Sequence, residues 1–267
     1  MKIITLVENL VNKPNLMAEH GLCLYIETTN RKILFDTGQT GLFMQNAKTL
    51  GIDIEEIDTI VISHGHNDHT GGLYPFLKKN KKAKIICKPD LFAQKYSGRN
   101  RFIGTKFHEA QLKDRLIFVD DITELDENLF IFPDIQIHDP LDTNFKGFNF
   151  KKDNTYSPDE FNDELFMVAK QKSQINIITA CSHRGITNIC TTAREHFGLP
   201  VGLILGGFHM KDSSIEQYVH ITHYFRAIQP KSIGVCHCTG IEKYAEMHHE
   251  CETHLFYNFT GNEVMIS

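Results

Sequence analysis

The chain has 267 residues, 28 Lys plus Arg against 33 Asp plus Glu, a net charge of −5 and 41% hydrophobic content. That length can bury a full core, and the acidic balance gives no electrostatic case for a nucleic acid or an anionic membrane as partner. No apolar run approaches the roughly 18 residues of a membrane span, the first eight residues read as a strand rather than a signal peptide, and seven cysteines without a Cys-x-x-Cys pair suit reduced thiols, so the expected location is cytoplasmic.

Residues 3–7 and 22–28 read as strands around a loop with Asn9, Asn12, Pro14 and Asn15, and 32–38 as a short strand that ends in a turn at Asp36. On position alone Asp36 has two readings: it hydrogen-bonds a metal-bound histidine, or it is an Asx-turn residue. The apolar spacing of Leu42, Phe43, Ala47 and Leu50 predicts a helix over 42–50, with Gly51 just beyond its end. Residues 57–62, Ile-Asp-Thr-Ile-Val-Ile, predict a buried strand, which runs into Ser63-His64-Gly65-His66-Asn67-Asp68-His69-Thr70-Gly71-Gly72. Three histidines and an aspartate fall within the six positions 64–69, in a chain that has 15 histidines altogether. Imidazole and carboxylate are ligands that suit zinc, iron and manganese. A cloning tag would lie at a terminus and would not follow an Ile/Val strand.

A helix is expected from 73, and the five lysines of 78–84 read as its solvated end and the turn beyond. Strand-like pieces follow at 85–87, 115–119, 129–132 and 135–137. Residues 144–163 are polar, aromatic and turn-rich. A single domain over 1–267 is expected, with 97–165 as an insertion that caps the active site. Its Phe-rich part, 145–166, leaves two readings open, a lid or the surface of a homodimer.

Clear order returns with strands at 165–169 and 175–180, the turn Cys181-Ser182-His183-Arg184-Gly185, a strand at 201–205 before Gly206-Gly207-Phe208-His209, a helix over 214–228 with Asp212 expected as its N-cap, and a strand at 231–236 before His237-Cys238-Thr239-Gly240. A helix over 241–250 and a last strand near 254–259 complete the chain. A histidine thus follows a predicted strand four times, at His64/His66/His69, His183, His209 and His237. Strand ends on one side of a layered α/β fold lie close together, so such side chains can meet.

The pattern His64-x-His66-x-Asp68-His69 resembles the signature of the metallo-β-lactamase superfamily. The resemblance implies an α/β fold, a four-layer αββα sandwich. It implies one or two Zn2+ ions (Fe and Mn suit the same ligands), with His64, His66 and His183 on the first and Asp68, His69 and His237 on the second. It also favours Asp36 as the hydrogen-bond partner of a metal-bound histidine. Where the superfamily commonly has a bridging Asp, this chain has Gly206-Gly207-Phe208-His209, which leaves His209 either as a replacement bridge or as a substrate-binding and proton-transfer residue. The wider set of motifs, from Asp36-Thr37-Gly38-Gln39 to His237-Cys238-Thr239-Gly240, resembles the branch of 7,8-dihydropterin-6-yl-methyl-4-(β-D-ribofuranosyl)aminobenzene-5′-phosphate synthases, which are dihydropteroate-synthase-like.

The function expected on these grounds is that of a metal-dependent hydrolase or dihydropteroate-synthase-like transferase, with a small, phosphorylated, pterin-type molecule as substrate and partner. Asp68 and His209 are the candidate catalytic residues. Arg184, the backbone of Gly185 at a helix start, and His209 are the candidate substrate contacts. Two rivals remain: a non-catalytic metal-binding sensor or partner protein, and a di-iron redox protein of the same fold, whose usual Glu at the position of His66 weighs against it.

Overall fold

The computed structural model describes residues 1–266. The chain forms two units. The first comprises residues 1–120, 146–163 and the chain's end from Phe259, and the second residues 121–145 and 164–258. The stretch 97–165 contributes residues to both units.

The first unit is built on a seven-stranded sheet in the order Glu263–Met265, Lys2–Val7, Cys23–Glu27, Lys32–Phe35, Thr59–Val61, Lys84–Cys87, Leu116–Phe118. Its first pairings are antiparallel, with Ile3 opposite both Val264 and Ile26. From Lys32–Phe35 onward they are parallel. Parallel strands need crossovers, and their residues are apolar along whole runs because both faces are covered; Ile33, Leu34, Phe35, Ile60, Val61 and Ile85 are all fully buried. The helices Leu42–Thr49 and Leu73–Lys79 are crossover elements, and Phe43 and Phe76 enter one apolar cluster with Leu34, Ile60 and Ile85. A second, four-stranded sheet in this unit runs Thr155–Pro158, Phe148–Lys152, Gln94–Ser97, Arg101–Phe102. Its outer hairpin turns at Asp153 and Asn154, with φ of 47° and 61°. Left-handed values at both central residues define the tight hairpin turn whose twist matches the strands, and Asp and Asn tolerate it best.

The second unit has its own seven-stranded sheet, ordered His254–Tyr257, Ser232–Val235, Val201–Gly206, Ile175–Ile178, Phe166–Lys170, Leu129–Phe132, Thr123–Asp126. The strands Ile175–Ile178, Val201–Gly206, Ser232–Val235 and His254–Tyr257 pair in parallel, joined by the helices Ile186–Phe197, Ile215–Ile228 and Ile241–Glu250. In each unit the histidine-bearing turns therefore follow parallel strands at their carboxyl ends. The mixed α/β class and its sheets match the metallo-β-lactamase fold expected. The piece at 135–137 is not a strand, and the strand Glu263–Met265 was not expected. Among the described residues no helix is long and apolar enough to cross a membrane.

One helix start differs from expectation. Asp212 is not the cap of Ile215–Ile228; Ser214 is, with extended backbone (φ −66°, ψ 161°) and its Oγ accepting the Gln217 amide at 3.2 Å. An N-cap hydroxyl satisfies an amide that has no partner within the helix. Ser214→Ala should lower stability by about 1 kcal/mol in urea unfolding, and Asp212→Ala by much less; the reverse ranking would return the cap to Asp212.

Candidate metal centre

In the first unit the strand Thr59–Val61 delivers Ser63 and His64 beside Asp36, because the Asp36 amide extends the ladder to the Val61 carbonyl at 2.9 Å. Asp36 is fully buried and has a left-handed φ of 63°. Its Oδ1 accepts the Ser63 amide at 2.7 Å, and its Oδ2 accepts both the Ser63 hydroxyl and His69 Nδ1, each at 2.7 Å. The single Ser63 hydroxyl proton is thus committed to Asp36. The 2.9 Å contact between Ser63 Oγ and His64 Nδ1 then requires the ring to be the donor. His64 and His69 are therefore both protonated on Nδ1, and Nε2 is the lone-pair nitrogen of each. Burial lowers the His64 pKa well below its usual value, with the neighbouring His69 and His66 adding to the effect. The imidazole stays neutral, the form that ligates metals.

Downstream the loop winds into the helical turn Asn67–Thr70, with the His66 carbonyl accepting the His69 and Thr70 amides at 3.1 Å. Thr37 clamps the turn through its amide (2.7 Å) and hydroxyl (2.9 Å) on the His69 carbonyl. A Cβ on Gly71 would collide with the Gln39 carbonyl, and one on Gly72 with that of Thr37. The loop therefore needs these two glycines for close backbone packing. The His64 ring centroid lies 4.7 Å from that of His66 and 4.3 Å from that of His69. Asp68 Oδ2 lies 3.8 Å from His69 Nε2 and 3.2 Å from Nε2 of the mostly exposed His20.

Gly65 is held from the far side. Its amide donates to Asp163 Oδ2 at 2.7 Å. Asp163 Oδ1 and Asp159 Oδ2 sit 2.8 and 2.7 Å from Nζ of Lys95, which is 2% exposed. Burial pulls the Lys95 ammonium down, but Asp163 and Asp159 outweigh it and the net shift is upward. Phe161 lies under the ammonium, and Phe161 and Phe148 stand 5.1 and 5.2 Å from the His66 ring.

In the second unit the turn after Ile175–Ile178 carries Cys181, Ser182 and His183. Ser182 has φ 59°, and its hydroxyl donates to the Gly207 carbonyl at 2.8 Å. His183 Nδ1 faces the Asn144 carbonyl at 3.3 Å. A carbonyl only accepts, so His183 also carries its proton on Nδ1 and its lone pair on Nε2. The His209 ring lies 4.3 Å from that of His183. The donor atoms of Cys181, His183 and His209 all lie within 4.8 Å of one another, and so do those of Cys181, His237 and Cys238. His209 and His237 have left-handed φ of 48° and 52°. Each such residue without a glycine's freedom costs roughly 1–2 kcal/mol. Burial pushes the Cys238 thiol up, but hydrogen bonds with Cys181 and His209 and the charges of His237 and His209 outweigh it, and the net shift is well downward.

The Gly185 amide, expected to receive a phosphate, donates to the Ser182 carbonyl at 3.0 Å. Its neighbours are also committed: Glu164 accepts the His183 and Arg184 amides at 2.7 Å each, and Asp142 accepts that of Thr187 at 2.6 Å. Buried carboxylates of the chain itself thus accept three amides around this helix start. Arg184 Nε donates to the Ile135 carbonyl at 3.2 Å, which ties the guanidinium down locally. Sequence reading also passed over His20, Lys95, Glu164, Cys181 and Cys238 as site residues. Of these, only the two cysteines carried a signal, through their adjacency to His183 and His237.

The donor set fits a metal. Each unit gathers histidine nitrogens after its parallel strands, with Nδ1 of His64 and His69 in the first and of His183 in the second held by hydrogen bonds, and the first adds the Asp68 carboxylate. The metallo-β-lactamase superfamily profile matches residues 17–146. The chain is 34% identical over 242 residues to an uncharacterized protein of Methanocaldococcus jannaschii, covering 89% of this chain and 90% of that one. It belongs to the metallo-β-lactamase superfamily. It is also similar to the 7,8-dihydropterin-6-methyl-4-(β-D-ribofuranosyl)-aminobenzene-5′-phosphate synthase of the same organism, at 29% identity over 91% of this chain and 88% of that one. A solved metal-dependent hydrolase of the β-lactamase superfamily superposes with a TM-score of 0.88 at 29% identity, covering 100% of this chain and 99% of the other. The fold is thus that of metal-dependent hydrolases.

Two predictions follow from the carboxylates. Lys95→Met leaves Asp159 and Asp163 buried without their cation, and should lower stability by about 3–5 kcal/mol in urea unfolding; a loss below about 1 kcal/mol would show that the pair is not held out of water. Burial raises the Asp142 carboxyl from its ordinary 3.8 to about 7, against the opposing Thr187 hydrogen bonds. Between those values the native state holds a proton that the unfolded chain has lost, so stability falls as pH rises across the window. Asp142→Asn should therefore match the parent near pH 4 and exceed it at pH 8, by up to about 4 kcal/mol. Equal pH slopes for the two proteins would show that Asp142 titrates normally.

Proposed function

We propose that the chain is a metal-dependent hydrolase-like enzyme acting on a small phosphorylated substrate, with one or two divalent ions, zinc foremost, and with His64, His66, Asp68, His69, His183 and His237 as ligands. The observation that carries this reading is the common tautomer of His64, His69 and His183. Three separate hydrogen bonds, to Ser63, Asp36 and the Asn144 carbonyl, put each proton on Nδ1 and each lone pair on Nε2. A structural histidine needs no such uniformity, whereas ligating histidines are regularly fixed this way. Zinc held there would acidify a bound water and polarise a phosphoryl group.

The chain's own residues supply the rest. Asp36 holds the His69 ring and, through Ser63, the His64 ring. Asp68 orients the nucleophile or completes the second ligand set. His209, whose ring lies beside that of His183, binds the substrate and holds the proton that a ring nitrogen delivers to the leaving oxygen. Phe148 and Phe161 keep water from one side of His66. The likeness to a pterin-related synthase over most of the chain supports a second reading of the same site, in which the bond broken is to a pyrophosphate leaving group and the substrate is of pterin type.

Elemental analysis of protein purified without added metal or chelator, with His237→Ala in parallel, tests the ligand set. The expected result is about two zinc per chain, falling to about one in the variant. Hydrolysis of phosphodiesters and turnover of phosphorylated pterins should vanish with chelator and return with zinc. Metal-replete protein inert to both classes would favour a sensor or partner protein, and iron in place of zinc would favour the redox reading.

A further inference from the structure

Two of the five thiols of the second unit lie beside the histidines, outside the histidine and aspartate ligand set. Cys181 follows the strand Ile175–Ile178 by three residues and is 3% exposed. Cys238 sits in the 3-10 turn His237–Thr239 and is half-buried. The donor atoms of Cys181, Cys238 and His237 all lie within 4.8 Å of one another. Three independent features of the fold bring the Cys238 sulfur to that place. The backbone amide of His209 donates to it at 3.3 Å. It lies 3.5 Å from the Cys181 carbonyl. A Cβ on Gly207 would come within 2.6 Å of it, so the Gly206-Gly207 turn leaves the room that the sulfur needs. None of the remaining cysteines belongs to a group of donors close enough to share an ion among the described residues.

We propose that Cys181, His237 and Cys238 form a sulfur-bearing metal site carried wholly by the second unit, selective for soft or borderline divalent ions such as Zn2+, Co2+ and Cd2+ over Mg2+ and Mn2+. Two sulfurs and one imidazole are a ligand set that hard, oxygen-seeking cations do not take, and three protein ligands on a tetrahedral ion leave one position open. Binding releases one proton from each thiol to solvent, so the two sulfurs coordinate as thiolates and offset the charge of the ion. Nothing is oxidised. The site competes for His237 with the ligand set proposed above and lies beside His183 of that set, so at His237 the two ligand sets are alternatives. It would make metal choice a property of the thiols as well as of the histidines.

The test loads the metal-free full-length chain with Co2+ and reads the sulfur-to-cobalt charge-transfer absorption in the near ultraviolet. The band is expected in the parent chain, is expected to fall by about half in Cys181→Ser and in Cys238→Ser because each removes one thiolate, and is expected to be unchanged in Cys190→Ser, which removes a buried thiol from the middle of the helix Ile186–Phe197. In parallel, alkylation of the half-buried Cys238 in the unaltered chain, read by mass spectrometry, should slow at least tenfold with Zn2+ and not with Mg2+. This arm holds even if a serine variant fails to fold. Cobalt bound with its visible bands but no sulfur band would overturn the proposal and leave the histidine-based site standing. A band that survives in both serine variants, or alkylation indifferent to zinc, would likewise overturn it. A chain that binds no metal at all would sink both readings.

Discussion

The metal-loop geometry depends on one buried carboxylate. Asp36 takes the Ser63 amide, the Ser63 hydroxyl and His69 Nδ1 within 2.7 Å, and the filled hydroxyl in turn fixes His64. A carboxylate sealed from water is costly unless its acceptors are filled. Here the donors that fill them are the groups whose orientation matters, so the requirement to satisfy Asp36 and the requirement to aim two rings are met by the same hydrogen bonds. The parallel pairing of Lys32–Phe35 with Thr59–Val61 brings Asp36 to that spot, which ties the chemistry of the loop to the register of the sheet.

The same economy recurs on the other side of the loop. Asp163 divides its two oxygens between Lys95 and the Gly65 amide, so a segment distant in sequence fixes the peptide between His64 and His66. The Phe161 ring lies against the ammonium, and Phe161 and Phe148 flank His66. In the second unit Glu164 holds the His183 turn as Asp163 holds Gly65: both of its oxygens accept backbone amides there. Two adjacent acidic residues, Asp163 and Glu164, thus serve the two units separately.

Much of this was legible in the sequence, and the reason is periodicity. The Ile/Val runs that become parallel strands are continuous, and a histidine or aspartate after such a run can only be at a strand end, so Asp36, His64, His183, His209 and His237 could be placed from the pattern. What could not be read was anything that depends on pairing between distant residues. Lys95, Asp159 and Asp163 have no local signature, since a lysine amid polar neighbours reads as solvated until the fold buries it. The hairpin at Asp153-Asn154 did carry a turn signal, but its flanking strands are polar and half-buried, so the alternation that marks a strand was weak. A glycine before a helix advertises amides for an anion, and nothing in the sequence signals that Ser182, Glu164 and Asp142 accept those of Gly185, His183, Arg184 and Thr187.

The left-handed backbones of Asp36, Ser182, His209 and His237 bear on how this chain can change over evolutionary time. At each of these positions glycine would relieve torsional strain, and at His209 and His237 it would also delete a ring. A population under selection for stability alone would drift toward glycine there, whereas one under selection for chemistry keeps the imidazole and carries the penalty. Glycine at either position would therefore separate the two demands, since it would relieve the backbone while removing the imidazole.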